Sequence, residues 1–168
     1  MSKAVLISVR PEWCALIVDG RKTIEVRKSK PKLTPPFKCY IYCTKGTELW
    51  LPHDNAQALK RGDGKVIGEF VCDHIDKIVS TKYGIEYGLF EILAKSGLST
   101  QELRDYLNGK NAYGWHISNL IIYDKPKDPE DFRVEASNKI WSFTKKLERP
   151  PQSWCYVEEL TKGGTDNG

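Results

Sequence analysis

Alternating runs of apolar and polar residues divide the start of the chain into short elements. Ala4 to Val9 is an apolar run rich in β-branched residues, which predicts a buried strand. After Pro11 the apolar residues recur at positions i, i+3 and i+4, which is typical of a helix, and Gly20 supplies its stop. Lys22 to Arg27 then alternates polar and apolar side chains, so the chain is expected to open as strand, helix, turn and strand.

The alternation in the second predicted strand gives it a polar face with reactive side chains. Thr23, Glu25 and Arg27 fall on this face, whereas Ile24 and Val26 take the other. Residues two apart on a strand lie about 7 Å from each other, so the carboxylate and the guanidinium are expected to be neighbours.

Apolar periodicity predicts further strands and a helical segment. Helical spacing in Glu86 to Lys95, and the capping-box pattern that opens a helix at Ser99 and runs to Leu107, predict a helical insertion over about residues 80–110. Gly68 is expected to mark a bulge or a close approach of two backbones. The further strands are predicted over Lys38 to Thr44, Gly64 to Cys72, Trp115 to Ile117, Asn119 to Tyr123 with a stop at Asp124-Lys125-Pro126, and Ser153 to Leu160.

About six strands without a regular βαβ repeat indicate an α+β fold. We expect a small, mostly antiparallel β-barrel or sheet with helices packed at its rim. The length of 168 residues fits one domain, predicted over residues 1–160, and the polar, glycine-rich end, residues 161–168, is expected to be disordered.

Composition places the chain among ordinary globular proteins. Hydrophobic residues make up 40% and charged residues 29%, and no apolar run approaches the roughly 20 residues that cross a bilayer. The first residues do not resemble a secretory signal, so we expect a cytoplasmic protein without a membrane partner.

The five cysteines are scattered without a framework spacing, which predicts reduced, mostly buried thiols. On one strand Cys39 and Cys43 would lie about 13 Å apart, too far to share one zinc ion. Cys72 and His74 would share a strand face at about 7 Å, which is also a poor fit. We therefore expect no metal site, and nothing in the sequence calls for a cofactor.

Positive charge is concentrated in one segment. Residues 21–38 contain seven basic residues and one acid, a net charge of +6, whereas the whole chain has +4, so the remainder carries −2. Such a segment is typical of a phosphate-facing surface, because phosphate neutralisation supplies most sequence-independent affinity for nucleic acids. A solvated loop is the alternative, since Pro31, Pro35 and Pro36 exclude a helix or a central strand there.

The signatures of phosphate loops, dinucleotide sites, zincins and nucleophile elbows are all missing from the sequence. A cluster of polar side chains remains as the candidate chemistry. Lys22 beside Glu25 can supply general acid–base or nucleophilic groups, or simply a structural ion-pair network. The cluster comprises Ser8, Arg10, Lys22, Thr23, Glu25 and Arg27, with His116 next to Trp115.

Two segments of the sequence resemble the opening motif of the ASCH domain, a branch of the PUA-like superfamily. They are Ser-Val-Arg-Pro-Glu at residues 8–12 and Gly-Arg-Lys-Thr-Ile-Glu-Val-Arg at residues 20–27. Residues 114–118, 122–126 and 149–157 resemble small prokaryotic and phage members of that family. The resemblance implies a compact β-barrel with a cleft beside the first helix that binds RNA or a nucleotide. The family's cleft positions fall on Ser8, Arg10, Lys22, Glu25 and Arg27.

Some relatives in this family are amidohydrolases that act on acetylated cytidine, with a lysine, a threonine three residues later and a distal glutamate. Lys22 matches the lysine, but Glu25 stands at the threonine position, where a carboxylate supplies no hydroxyl nucleophile. Thr23 is a weak substitute, and Glu86 and Glu91 are candidates for the distal glutamate. Other relatives are linked to RNA cleavage, for which Lys22, Glu25, Arg27 and His116 form a sensible set.

Three hypotheses follow. The first is a binding module for RNA or a nucleotide, in which Arg10, Lys22 and Arg27 contact phosphate and Tyr42, Trp115 or Trp154 stacks on a base. The second is a hydrolase acting on a modified nucleoside or RNA through Lys22 and Glu25, with His116 assisting. In the third, the polar cluster only braces the fold. The oligomeric state is left open.

Overall fold

The computed structural model describes residues 2–54, 58–81, 84–85 and 89–161. Within these ranges the chain forms short helices around one large, bent sheet and three two-stranded ribbons. The helices are α1 (Pro11–Val18), α2 (Leu89–Ser96) and α3 (Thr100–Leu107), with a 3₁₀ turn at Pro129–Asp131. The strands are β1 (Lys3–Val9), β2 (Ile24–Arg27), β3 (Phe37–Cys43), β4 (Trp50–Pro52), β5 (Leu59–Arg61), β6 (Val66–Ile78), β7 (Ser80–Thr81), β8 (Gly84–Ile85), β9 (Ala112–Lys127), β10 (Arg133–Ser137), β11 (Ser142–Lys146) and β12 (Trp154–Glu158).

The main sheet confirms the mixed α+β class. Its six strands run in the order β12-β1-β3-β6-β9-β2, and β1 pairs parallel with β3 while the other neighbours are antiparallel. No backbone ladder joins the two edge strands, β2 and β12, among the described residues. The closed barrel expected from the sequence is therefore not confirmed.

β1 lies at the centre of the core, as its continuous apolar run predicts. Val5, Ile7 and Val9 pack into one buried cluster beneath α1, whereas Ala4 and Leu6 face a second cluster under the β10–β11 ribbon. A third cluster joins α2 and α3 to β2 and the ends of β6 and β9. Because both faces of β1 are buried, its carboxyl end is a rigid support for the residues that follow.

Gly68 confirms the expected close approach of two backbones. A Cβ atom at this position would overlap the carbonyl oxygen of Ile121 on β9. The pairing of β6 with β9 also shifts between Val66 and Gly68. Only a residue without a side chain fits here while the two strands remain paired.

β9 is longer than the sequence predicts. The two predicted segments join into one strand that passes Asn119, which has a positive φ of 48°, and continues beyond Pro126. The register pairs Ile122 and then Lys127 with β6, and no residue between them is paired with that strand. A proline is tolerated there because its missing N–H removes no ladder hydrogen bond.

The two helices predicted between the halves of the sheet are present, and the capping box at Ser99 and Glu102 is confirmed. α2 begins at Leu89, so the first residues of its predicted span lie outside or at the edge of the described ranges, as do residues 162–168 of the expected tail. The β10–β11 ribbon was not predicted, because its strands are short and largely exposed. None of the described helices is long and apolar enough to cross a membrane.

Candidate functional site

A cleft of about 800 Å³ opens beside the N-terminal end of α1. Its floor comes from the end of β1 and from β2, and α3 with the preceding loop forms one wall. The segment leading into β12 forms another wall. The lining residues are Ser8, Val9, Arg10, Trp13, Lys22, Glu25, Val26, Arg27, Lys28, Ser29, Thr44, Leu98, Glu102, Asp105, Tyr106, Gln152 and Ser153.

A buried ion-pair network forms the floor of the cleft. Glu25 lies between two cations, with Oε2 3.0 Å from Lys22 Nζ and Oε1 2.9 Å from Arg27 Nη2. Lys22 is only 3% exposed and Glu25 only 7% exposed. The three side chains that the sequence placed together thus do meet, and they neutralise one another in part.

The Lys22 ammonium is surrounded by protein acceptors. It donates to the carbonyl oxygens of Ile24 at 3.0 Å and of Ser96 at 2.6 Å, in addition to its contact with Glu25. Two of its three N–H groups are therefore bonded to backbone carbonyls, and the ion pair with Glu25 holds its charge at the cleft floor. Since Ser96 ends α2, the helical insertion holds the lysine in place, which the sequence did not indicate.

One carboxylate oxygen on the cleft floor lacks a hydrogen bond. Glu25 Oε2 is buried and, despite its distance of 3.0 Å from Lys22 Nζ, accepts no aligned hydrogen bond from the described residues. Buried carboxylate oxygens usually have such partners. This oxygen is therefore held only by its ion pair with Lys22, and it has almost no surface open to the cleft.

Arg27 links the floor to the opposite edge of the sheet. Its guanidinium donates to Glu25 Oε1 at 3.0 Å, to the carbonyl oxygen of Ser8, and to the hydroxyl of Ser153 at 3.3 Å. Ser8 in turn donates its hydroxyl to the carbonyl of Pro151 at 2.6 Å. These contacts fix the walls of the cleft on both sides of β1.

Two cations of the cleft remain accessible. Arg10 and Lys28 are both exposed, and Arg10 makes no ion pair within the described part of the chain. Lys28 Nζ lies 5.0 Å from the centre of the Tyr106 ring. With Lys22 and Arg27 engaged, these two side chains are the ones positioned to meet an anion.

The basic segment at residues 21–38 does not form a continuous cationic surface. Arg21 pairs with Asp19, and Lys38 pairs with Glu69 and Glu159. The cleft itself is lined by four basic and three acidic side chains. The basic cleft expected from the sequence is therefore only weakly positive.

The aromatic residues singled out from the sequence lie outside this cleft. Trp115 is fully buried and packs edge-on against Phe37 at 6.1 Å, so its ring has no surface for stacking in this structure. Tyr42 is also buried and faces a separate cavity. Trp154 is partly buried, and its indole donates to Ser29 Oγ at 3.0 Å.

Two other aromatic rings do line the cleft. Trp13 of α1 and Tyr106 of α3 are both partly exposed there. Burial raises the pKa of the Tyr106 hydroxyl, while the charge of Arg27 acts to lower it, which places this ring beside the ion-pair network. Both residues belong to the apolar spacing that predicts α1 and α3, and nothing in that spacing indicates that they face a cleft.

Thr23 and His116 lie apart from the polar floor. The backbone of Thr23 bonds to Lys95 and Ile117, but its side chain does not line the cleft. On β9, His116 is in register with Ile24 whereas Trp115 is in register with Glu25. Adjacent strand residues point to opposite faces, so His116 lies on the face opposite Glu25 and is not assembled with it.

One carboxylate of the cleft wall comes from a residue that was not predicted to belong to the site. Glu91 does not line the cleft and instead pairs with Lys95 at 2.5 Å, while Glu86 lies outside the described residues. Glu102, predicted only as part of a capping box, does line it and accepts the Ser99 amide at 2.7 Å. α3 therefore contributes acidic as well as aromatic groups to the wall.

Comparison with known proteins gives a consistent result. The family model described as the ASCH domain matches residues 7–126. No curated protein matches the chain. Crystal structures of an ASCH protein from Zymomonas mobilis are similar. A mutant form has 18% identity and a TM-score of 0.60 over 93% of this chain and 89% of that chain. The structure without a stated mutation has 20% identity and a TM-score of 0.56, and the match covers 93% of this chain and 88% of that chain.

Proposed function

The chain belongs to the ASCH domain family, which is often linked to RNA binding, and we propose from this that it binds a nucleotide or a short single-stranded RNA in the cleft beside α1. The observation that carries the proposal is the layout of the cleft. Two accessible cations, Arg10 and Lys28, lie beside two partly exposed rings, Trp13 and Tyr106. Phosphate contacts and base stacking need these two kinds of group side by side.

The size and charge of the cleft favour a small ligand. A volume of about 800 Å³ falls within the range of small-molecule sites. Four basic and three acidic lining residues give too little positive charge for a long phosphate backbone. Carboxylates accept hydrogen bonds from amino groups at base edges, so Glu102 and Asp105 suit a base while the cations suit its phosphate.

The buried network has a different role in this proposal from the one expected from the sequence. Lys22 and Arg27 were predicted to contact phosphate, but both are already paired with Glu25 and with backbone carbonyls. We assign them to shaping the floor. Arg10 and Lys28 then make the phosphate contacts, and Trp13 or Tyr106 stacks on the base.

Binding is tested with a short single-stranded RNA and with free nucleotides, at about 50 and 200 mM salt. We expect Arg10→Ala and Lys28→Ala each to weaken binding and to reduce the salt dependence by close to one phosphate contact, a slope change of about 0.7 for single strands. Lys32→Ala is the matched control, because Lys32 is exposed in the same basic segment but does not line the cleft. Equal affinity for wild type, Arg10→Ala and Lys28→Ala would refute the proposal.

A hydrolase acting on a modified nucleoside or RNA is the second candidate, favoured by one observation. Glu25 lines the ligand-sized cleft, and its buried Oε2 accepts no hydrogen bond although Lys22 Nζ lies 3.0 Å away, so a carboxylate and an amine that suit acid–base chemistry stand side by side. Incubated ligands are therefore analysed by mass spectrometry. Conversion that Glu25→Gln abolishes, with binding retained, would establish this activity, and intact ligands would leave the binding role alone.

A further inference from the structure

Three side chains that commonly ligate metals meet at a place separate from the cleft. They are His74 and Asp76 of β6 and His116 of β9, and one ligand atom from each lies within 4.8 Å of the others. Asp76 Oδ1 is 2.8 Å from His74 Nε2, and Oδ2 is 2.7 Å from His116 Nε2. None of the three lines the cleft.

A β-bulge brings this cluster together. Cys72 pairs with Ile117 and Ile75 pairs with Trp115, so β6 takes three steps where β9 takes two. The extra residue lets both Cys72 and Ile75 face the core and turns His74 outward with Asp76. The expectation that Cys72 and His74 share a strand face is thus wrong, and the bulge is the reason.

The ligand set suits a divalent transition metal. Two imidazoles and one carboxylate form the three-ligand sets of several zinc and iron(II) sites, which leave coordination positions open. Ligand atoms around tetrahedral zinc lie about 3.3 Å apart, from bonds of about 2.0–2.1 Å. The Asp76 oxygens lie 2.8 Å from His74 Nε2 and 2.7 Å from His116 Nε2, and the three ligand atoms all lie within 4.8 Å of one another. Small rotations of these side chains bring the ligand atoms to the spacing that zinc requires.

The surroundings are compatible with a cation and open to solvent. The side chains of His74, Asp76 and His116 are 63%, 40% and 23% exposed, so an ion and its water ligands can enter. Glu91 of α2 interacts electrostatically with both His116 and Asp76, which adds negative charge nearby. We propose that His74, Asp76 and His116 bind one divalent transition-metal ion, with at least one coordination position left to water.

Zinc binding to the full-length, tag-free chain tests this proposal by calorimetry and by competition with a chromophoric chelator. We expect one ion per chain, and at least about a tenfold loss of affinity in His74→Ala and in His116→Ala. Asp76→Asn should also weaken zinc binding, and Asp73→Asn is its matched control, since Asp73 is an exposed carboxylate in the same bulge that is not part of the cluster. Zinc should also raise the Tm of the wild type but not of His74→Ala.

Cobalt(II) spectra separate this site from the cysteines. We expect d–d bands without a thiolate charge-transfer band, because the cluster contains no sulfur ligand. A thiolate band, unchanged affinity in both histidine variants, or no zinc bound at all would each overturn the proposal, leaving a carboxylate that merely bridges two imidazoles by hydrogen bonds. Circular dichroism confirms that the variants are folded, and His74, the most exposed of the three, is the substitution least able to disturb the core.

Failure here is distinguishable from failure of the proposed ligand cleft. His74→Ala should leave the binding of RNA and nucleotides unchanged, because this residue does not line that cleft.

Discussion

Arg27 Nη1 lies 3.3 Å from Ser153 Oγ, so a side chain on one edge strand of the sheet reaches the residue that precedes the other edge strand. The same guanidinium donates to the carbonyl of Ser8 on β1. Side-chain contacts thus join the edges β2 and β12 where no backbone ladder does. The planar fork of arginine suits this task, because it directs several N–H groups to different acceptors at once.

Replacing Arg27 with lysine tests this junction. Lysine keeps the positive charge beside Glu25 but cannot donate to Ser8, Ser153 and Glu25 together. We expect the free energy of unfolding to fall by about 1–3 kcal/mol, measured by urea denaturation. Arg104→Lys, an exposed substitution outside the network, should change it by less than about 0.5 kcal/mol. Equal stability of the Arg27 variant and this control would show that the fork contributes little.

The Lys22–Glu25 pair is expected to behave as a buried ion pair. Lys22→Met leaves Glu25 Oε2 without its ion pair and two carbonyls without their donor, although Arg27 still holds Oε1, and it should cost about 3–5 kcal/mol of unfolding free energy. Adding Glu25→Gln should recover part of that loss, since the buried negative charge is then gone. A double-mutant cycle measures this coupling. Strictly additive losses would contradict a direct interaction between the two side chains.

Gly68→Ala is expected to destabilise the sheet. The new methyl group would overlap the carbonyl oxygen of Ile121, so β6 and β9 would have to separate locally at a cost of about 1–3 kcal/mol. Gly20→Ala is a useful comparison, because no atom lies within 4 Å but its φ of +80° strains any side chain by about 1 kcal/mol. Thermal unfolding that ranks Gly68→Ala as the milder change would contradict the close contact.

The thiols are expected to react slowly in the native protein. Burial raises the pKa of Cys155 from 9.0 to about 11 and that of Cys72 to about 12. The raised pKa of Cys155 means about a hundredfold less thiolate near pH 8. The thiolate is the form that reacts with iodoacetamide. Labelling should accelerate as the pH rises toward 11, beginning at Cys155, the one partly exposed thiol among the five.

Mass spectrometry of the alkylated protein identifies the site, with the urea-unfolded chain as the positive control. Cys155→Ser should remove the first labelled position. Rapid labelling of the native protein at pH 8 would contradict the raised pKa values and the burial of these thiols.

Local periodicity predicted the elements that position the site. β1, α1 and β2 follow from apolar spacing, and the ASCH-like motif places Ser8, Arg10 and Glu25 at the end of one strand and on the next. These residues do line one cleft. A short unit of the chain that folds around its own turn is specified mainly by residues close in sequence.

Features that depend on distant contacts escaped prediction. The exposure of Trp13 and the burial of Trp115 are decided by which elements pack over each ring, and the sequence carries no direct signal for that. The bulge that turns His74 outward adds one residue to β6 relative to β9, so the simple alternation of faces fails there. Its position depends on the pairing of two strands more than 30 residues apart.

Thr23 connects the helical insertion to the main sheet through its backbone. Its N–H donates to the carbonyl of Lys95 near the end of α2, and its carbonyl accepts a hydrogen bond from the N–H of Ile117 on β9. The sheet contributes the ion-paired floor of the cleft, and the helical insertion contributes Tyr106, Glu102 and Asp105. The floor and this wall of the cleft are thus encoded in separate stretches of sequence. A change in the α2–α3 segment therefore alters one wall of the cleft and, through the carbonyl of Ser96, the position of Lys22 on its floor.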